Sequence, residues 1–123
     1  MEIKNTTKKK TPVISFNKIK QFVLNEDYEL SLVFIGDKLS RKLNKQYRKI
    51  GRPTNILTFP LSKDEGEIFI NLNLAKKQSF RFDKSYNKFI GFLFIHGLLH
   101  LKGYEHSSKM EGEEERIRKK FNL

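Results

Sequence analysis

A chain of 123 residues is enough for one domain around one core, and its 25 Lys and Arg against 14 Asp and Glu leave a net charge of +11. The absence of cysteine rules out disulfides and thiolate metal sites, so any metal must be held by His, Asp or Glu, and a reducing compartment is expected. The N-terminal MEIKNTTKKKTP is basic without an apolar run, which excludes a secretory signal, so the sequence predicts a cytoplasmic protein with no membrane partner.

The positive charge is uneven: residues 1–54 hold 13 basic and 5 acidic side chains, residues 55–123 hold 12 and 9. A surplus of this kind is the footprint of a polyanion partner, with nucleic acid the first candidate. Lysine accounts for 19 of the basic residues, and a lysine-rich composition produces the same surplus without a partner.

In chain order, a charged segment precedes VISFNKIKQFVLNE (13–26), where Phe16, Ile19, Phe22 and Val23 fall at helical spacing behind Ser15 as a cap. YELSLVFI (28–35) alternates and then turns apolar on both faces, as an inner strand does, until Gly36 stops it. Asp37 is expected to cap a second helix, DKLSRKLNKQY, with Leu39, Leu43 and Gln46 or Tyr47 turned inward. RKIGRPT (48–54) reads as a loop by its Gly51 and Pro53 and carries Arg48 and Arg52. NILTFP (55–60), stopped by Pro60, and EIFIN (67–71) read as short strands paired antiparallel across a polar turn. A helix over 72–78 and a polar break, RFDK, follow.

SYNKFIGFLFIHGLLHLKG (85–103) is predicted as a helix capped by Ser85 and ended by Gly103. Apolar nearly all round from Phe89 to Leu101, yet too short to span a bilayer, it is the central buried helix of a globular core. Ser108 to Glu111 reads as a capping box for a last helix with Glu113 to Glu115 early and Arg116 to Lys120 late, a charge order that suits the helix dipole. The acidic cluster is therefore read as structural, with one of its glutamates able to reach a metal.

All three histidines lie in HGLLHLKGYEH, residues 96 to 106. His96 and His100 are four apart and share one helix face. Gly103 permits the left-handed turn that folds the chain back and carries His106 to the same point. Three imidazoles bind one metal and leave a tetrahedral position open, the arrangement of a catalytic site. The spacing is that of the metzincin proteases, HExxHxxGxxH, but Gly97 stands where their general-base glutamate belongs.

The same eleven residues resemble HGxLHLxGYDH, the signature of the YbeY family of bacterial rRNA maturation factors, metal-dependent endoribonucleases of ribosome biogenesis. LNKQYRKIGRPTNILTFP (43–60) is similar to that family's LNxxYRxxxxPTDVLSFP, and GEIFIN (66–71) to its GDIxIN. The resemblance runs from roughly residue 30 to 121. It implies an α+β fold, one compact domain over residues 1–123, with a small mixed sheet covered by helices and a buried helix carrying two ligand histidines. It also implies His96, His100 and His106 as ligands of Zn2+, with Ni2+ or Mn2+ also able to fit, and RNA, as rRNA or ribosomal particles, as partner. Arg48 matches the arginine that the family places beside the metal, where its fork would neutralise charge developing on phosphoryl oxygens. Either metal-activated water or the RNA 2′-OH could attack the phosphodiester. Asn55, Glu67 and Glu105 replace aspartates of the family pattern, and the neutral Asn55 cannot act as a base. A metallopeptidase, and an rRNA-binding assembly factor with a structural metal, are the alternatives that the residues leave open.

Overall fold

The alternation in YELSLVFI places Leu30, Leu32 and Phe34 on one face of a strand. In the computed structural model, which describes residues 1–123, all three are buried along β2 (Glu29–Ile35). β2 is one of the two inner strands of a four-stranded mixed sheet. β1 (Glu2–Asn5) runs parallel to it on one side and β4 (Glu65–Asn71) parallel on the other, and β3 (Ile56–Ser62) pairs antiparallel with β4 as expected from the sequence.

Five helices cover this sheet: α1 (Phe16–Val23), α2 (Asp37–Arg48), α3 (Leu72–Arg81), α4 (Tyr86–Leu101) and α5 (Ser108–Lys120). The fold is α+β, and α4 is its central buried element. Phe94 and Ile95 are wholly buried there, and the Phe94 ring meets Phe16 of α1 edge-on at 5.0 Å. Ile68 and Ile70 of β4, wholly buried, join the same core. On the opposite face Tyr47 of α2 packs on Phe59, and Phe59 on Phe69, with ring centroids 5.0 and 5.7 Å apart. Buried Ile35 and Leu57 fall on that face by the two-residue period of their strands.

Several local expectations are corrected. The first segment contains a strand. EIKN has no alternating apolar pattern, Ile3 is 43% exposed, and only the ladder to β2 makes β1. In α1 the Ser15 side chain makes no capping bond, and Phe22 faces solvent. The buried position beside it is taken by Lys20, whose ammonium donates to the Glu26 carbonyl at 3.0 Å as the chain turns back beyond Asn25. Gly36, not Asp37, caps α2. Its inward positions are Ser40 and Asn44, which bind the following loop: Ser40 Oγ donates to the Thr54 carbonyl at 2.7 Å and Asn44 Nδ2 to the Arg52 carbonyl at 2.8 Å. Leu39 and Leu43 are half-buried.

Pro60 does not stop β3, because β3 is an edge strand whose outer side needs no N–H donor, and the irregularity falls just beyond it between Pro60 and Ser62. α3 runs to Arg81, three residues past Gln78. The cap of α5 is Ser107, accepting from Met110 N at 3.2 Å, so the box expected from Ser108 to Glu111 does not form.

Candidate metal centre

Ser85 opens α4 as expected, its hydroxyl accepting from the Lys88 amide at 3.1 Å. Sixteen residues later the helix ends in a turn: Gly103 N donates to the His100 carbonyl and Tyr104 N to the Leu99 carbonyl, both at 3.0 Å. Gly103 sits at φ +107°, a conformation that a side chain would strain. This turn aims the Tyr104 carbonyl back at the helix and returns the chain so that the His106 ring lies 4.6 Å from that of His100 and 5.1 Å from that of His96. The three histidines can each bring one ring nitrogen within 4.8 Å of the others.

The hydrogen bonds decide which nitrogens face the centre. His100 Nδ1 lies 3.1 Å from the Tyr104 carbonyl, which can only accept, so Nδ1 carries the proton. His96 Nδ1 lies 2.9 Å from Glu114 Oε1, and an ionised carboxylate likewise requires the proton on Nδ1. In the neutral rings both Nε2 atoms are then bare lone pairs, and they face each other at 3.0 Å. Two acceptors at that distance repel unless a proton or a metal ion lies between them. The spacing also suits a shared ion, since tetrahedral zinc with Zn–N near 2.05 Å holds neighbouring nitrogens roughly 3.3 Å apart. Burial, reinforced by the neighbouring His96 and His106, lowers the His100 pKa from its ordinary value of 6.5, against the opposing pull of the Tyr104 carbonyl and Glu114. The ring is thereby held in the neutral form that a metal needs.

Glu114 is the residue that sequence reasoning did not single out. It is 5% exposed on α5 and fixes the tautomer and orientation of His96, as carboxylates do for metal-bound histidines. A signal for it exists in the sequence, since Met110, Glu114 and Ile117 form the buried stripe of α5 at helical spacing. The acidic cluster otherwise serves α5 itself: Glu113 pairs with Arg116 at 2.7 Å and Glu115 with Lys119 at 3.2 Å.

Gly97 packs on the sheet. A Cβ there would lie 3.0 Å from Ile56 Cδ1 and from Thr58 Cγ2. A glutamate at 97 would enter that packed interface and not the space beside the histidines.

Arg48 is not on a loop. It is the last residue of α2, exposed, with Lys49 in the left-handed conformation as the cap behind it. Its guanidinium is in no hydrogen bond or ion pair, and no polar contact joins it to the histidines. Asn55 donates to Gln78 Oε1 at 2.8 Å, Glu67 lines an open groove with Tyr28 and Glu65 at another part of the sheet, and Glu105 is exposed. The carboxylate that orients His96 comes from α5 and not from any of these three positions. A cavity of about 150 Å³ adjoins the centre, lined by Phe92, Met110 and Glu111 beside His96, His106 and Glu114.

A protein-family model described as Endoribonuclease YbeY matches residues 2–122. A protein of Acholeplasma laidlawii named Endoribonuclease YbeY is 34% identical over 135 aligned positions, covering all of this chain and 98% of that one. One of the same name from Mycoplasma mycoides is 38% identical over 96 positions, 69% of this chain and 58% of that protein's length. The solution structure of a Thermotoga maritima protein superposes with a TM-score of 0.71 at 25% identity, over 94% of this chain and 85% of that one.

Proposed function

Because the chain belongs to the YbeY family, we propose that it is a zinc-dependent endoribonuclease, cutting single-stranded RNA in rRNA maturation on cytoplasmic ribosomal particles. The observation that carries the metal dependence is the pair of Nε2 atoms that face each other at 3.0 Å, with His106 beside them. A donor set made only of imidazoles favours zinc or nickel over the oxygen-preferring manganese. Three ligands leave a position open for substrate.

When bound, such an ion supplies Lewis acidity at a phosphodiester. The chain's own contributions are positional and electrostatic. Glu114 holds His96, and the Tyr104 carbonyl holds His100, so that neither ring reorients when substrate arrives. Arg48, with no protein partner, is free to offer two parallel N–H donors to phosphoryl oxygens as charge develops on them. The peptidase alternative loses its footing at Gly97, where the packing of α4 on β3 and β4 leaves no place for a general base.

Metal analysis of the purified protein, paired with cleavage of an end-labelled RNA before and after chelation, tests this reading. About one metal per chain and cleavage that vanishes on chelation are expected. A protein that keeps its metal and cuts no structured or single-stranded RNA is a ribosome-assembly factor with a structural ion. The product ends separate the two chemistries, since attack by the 2′-OH leaves a cyclic phosphate and attack by water does not.

A further inference from the structure

Four aromatic rings form a ladder that ends at the histidines. Phe82, at the end of α3, lies 6.2 Å from Phe89, Phe89 lies 6.1 Å from Phe92, and Phe92 lies 6.0 Å from His96, with interplanar angles of 31°, 33° and 35°. The last three share one face of α4 by their spacing of three and four. Phe89 is buried beneath the stripe, whereas Phe82 is 57% exposed and neighbouring Phe80 is 90% exposed. Exposed phenylalanines at two positions in three are costly on a surface that nothing covers.

Cations flank this ladder. The Lys84 ammonium lies 5.5 Å from the centre of the Phe92 ring, and the Arg118 guanidinium lies 5.5 Å from the same centre. Neither is in an ion pair, and Arg118 Nε is buried without a hydrogen-bond partner. The three acidic residues of α5 nearest in sequence are committed elsewhere, to His96, Arg116 and Lys119. Residues 76–88 add Lys76, Lys77, Arg81 and Lys88 against the single acid Asp83.

We propose that a single-stranded segment of the RNA substrate runs from the histidine centre along this ladder, its phosphates on Arg118 and Lys84 and a base stacked on Phe82. The proposal rests on the endoribonuclease reading above. Single-stranded nucleic acid is held by this combination of a cationic track and exposed π faces, because every base has a face to stack and every linkage a charge to neutralise. The track is continuous with the cavity at the centre, since Phe92 belongs to both. It would make the protein prefer substrates with several unpaired nucleotides on one side of the cut.

Fluorescence anisotropy of the full-length, chelator-treated protein with a 12-nucleotide and a 3-nucleotide single-stranded RNA tests this without any need for cleavage. Phe82→Leu keeps apolar bulk and loses the stacking face. It should weaken the 12-mer about 10-fold and the 3-mer little, with an unchanged dependence on salt. Lys84→Gln and Arg118→Gln should each reduce the slope of log K against log salt by about 0.7, while Lys63→Gln, on the exposed β3–β4 turn, should not. Melting curves of each variant establish that it is folded. The track is overturned if Phe82→Leu binds the 12-mer like the wild type, or if Lys63→Gln lowers the slope as much as Lys84→Gln does. If the variants weaken the 12-mer as expected but the metal-loaded wild type cuts no RNA, the track stands and the nuclease reading falls. If the wild type cuts RNA and the variants bind normally, the reverse holds.

Discussion

His96 and His100 are each held at Nδ1 by a protein acceptor, whereas Arg48 closes α2 with its guanidinium bound to nothing. On the proposed function, the difference separates two kinds of group. A metal ligand must be oriented before the ion arrives, because the ion cannot repay the ordering of three loose rings without losing affinity. A cation meant for a transition state is better left uncommitted, since a carboxylate partner would have to be displaced by the phosphate.

The largest effect should come from removing the held side of this pair. In the double variant His96→Ala, His100→Ala the bound metal should fall from about one per chain to none, as measured by elemental analysis, and RNA cleavage should disappear with it. Stoichiometric metal in that variant would sink the site.

Removing the free side should leave the site intact and slow the reaction. Arg48→Ala is expected to lower kcat and kcat/KM by a similar factor of about 10², with metal content and melting temperature unchanged. Arg48→Lys should recover only part of the rate, because an ammonium keeps the charge without the fork. Wild-type turnover in Arg48→Ala would remove it from the mechanism.

A finer probe loosens one held ring without deleting it. Glu114→Gln can still accept from His96 Nδ1 through its amide oxygen but carries no charge, and metal affinity should drop about 10-fold or more in a competition titration with a chromophoric chelator. Unchanged affinity would mean that Glu114 serves packing alone.

The smallest effect is on the stability of the metal-free protein. The His100 pKa is lowered from 6.5 on folding, chiefly by burial, so the unfolded chain binds that proton more readily. The stability present above pH 6.5 should therefore decline as pH falls through the folded value, and the decline should be shallower in His100→Ala. Thermal melts of chelated protein from pH 8 to 5 read this directly. Equal slopes in both proteins would contradict the assignment of burial as the cause.

The elements that the residues predicted best were those whose own side chains decide them. Ser85 capping α4, the apolar circumference from Phe89 to Leu101, and Gly103 at a positive φ are local facts, legible from composition and spacing. The convergence of His96, His100 and His106 was equally legible, since one helix turn and one glycine are all the geometry it requires. β1 was not legible, because EIKN becomes a strand only by pairing with residues 31 to 34. The burial of Ser40 and Asn44 in place of leucines on α2 depends on a loop that needs hydrogen bonds from that face.

Glu114 shows the boundary most clearly. The sequence by itself determined that Glu113 to Glu115 fall on one helix with one of the three able to reach a metal, and a carboxylate buried there calls for a partner. Only the tertiary structure decided that the partner is His96, because the packing of α5 on α4 joins positions 18 residues apart, and helix periodicity carries no information about which face meets which.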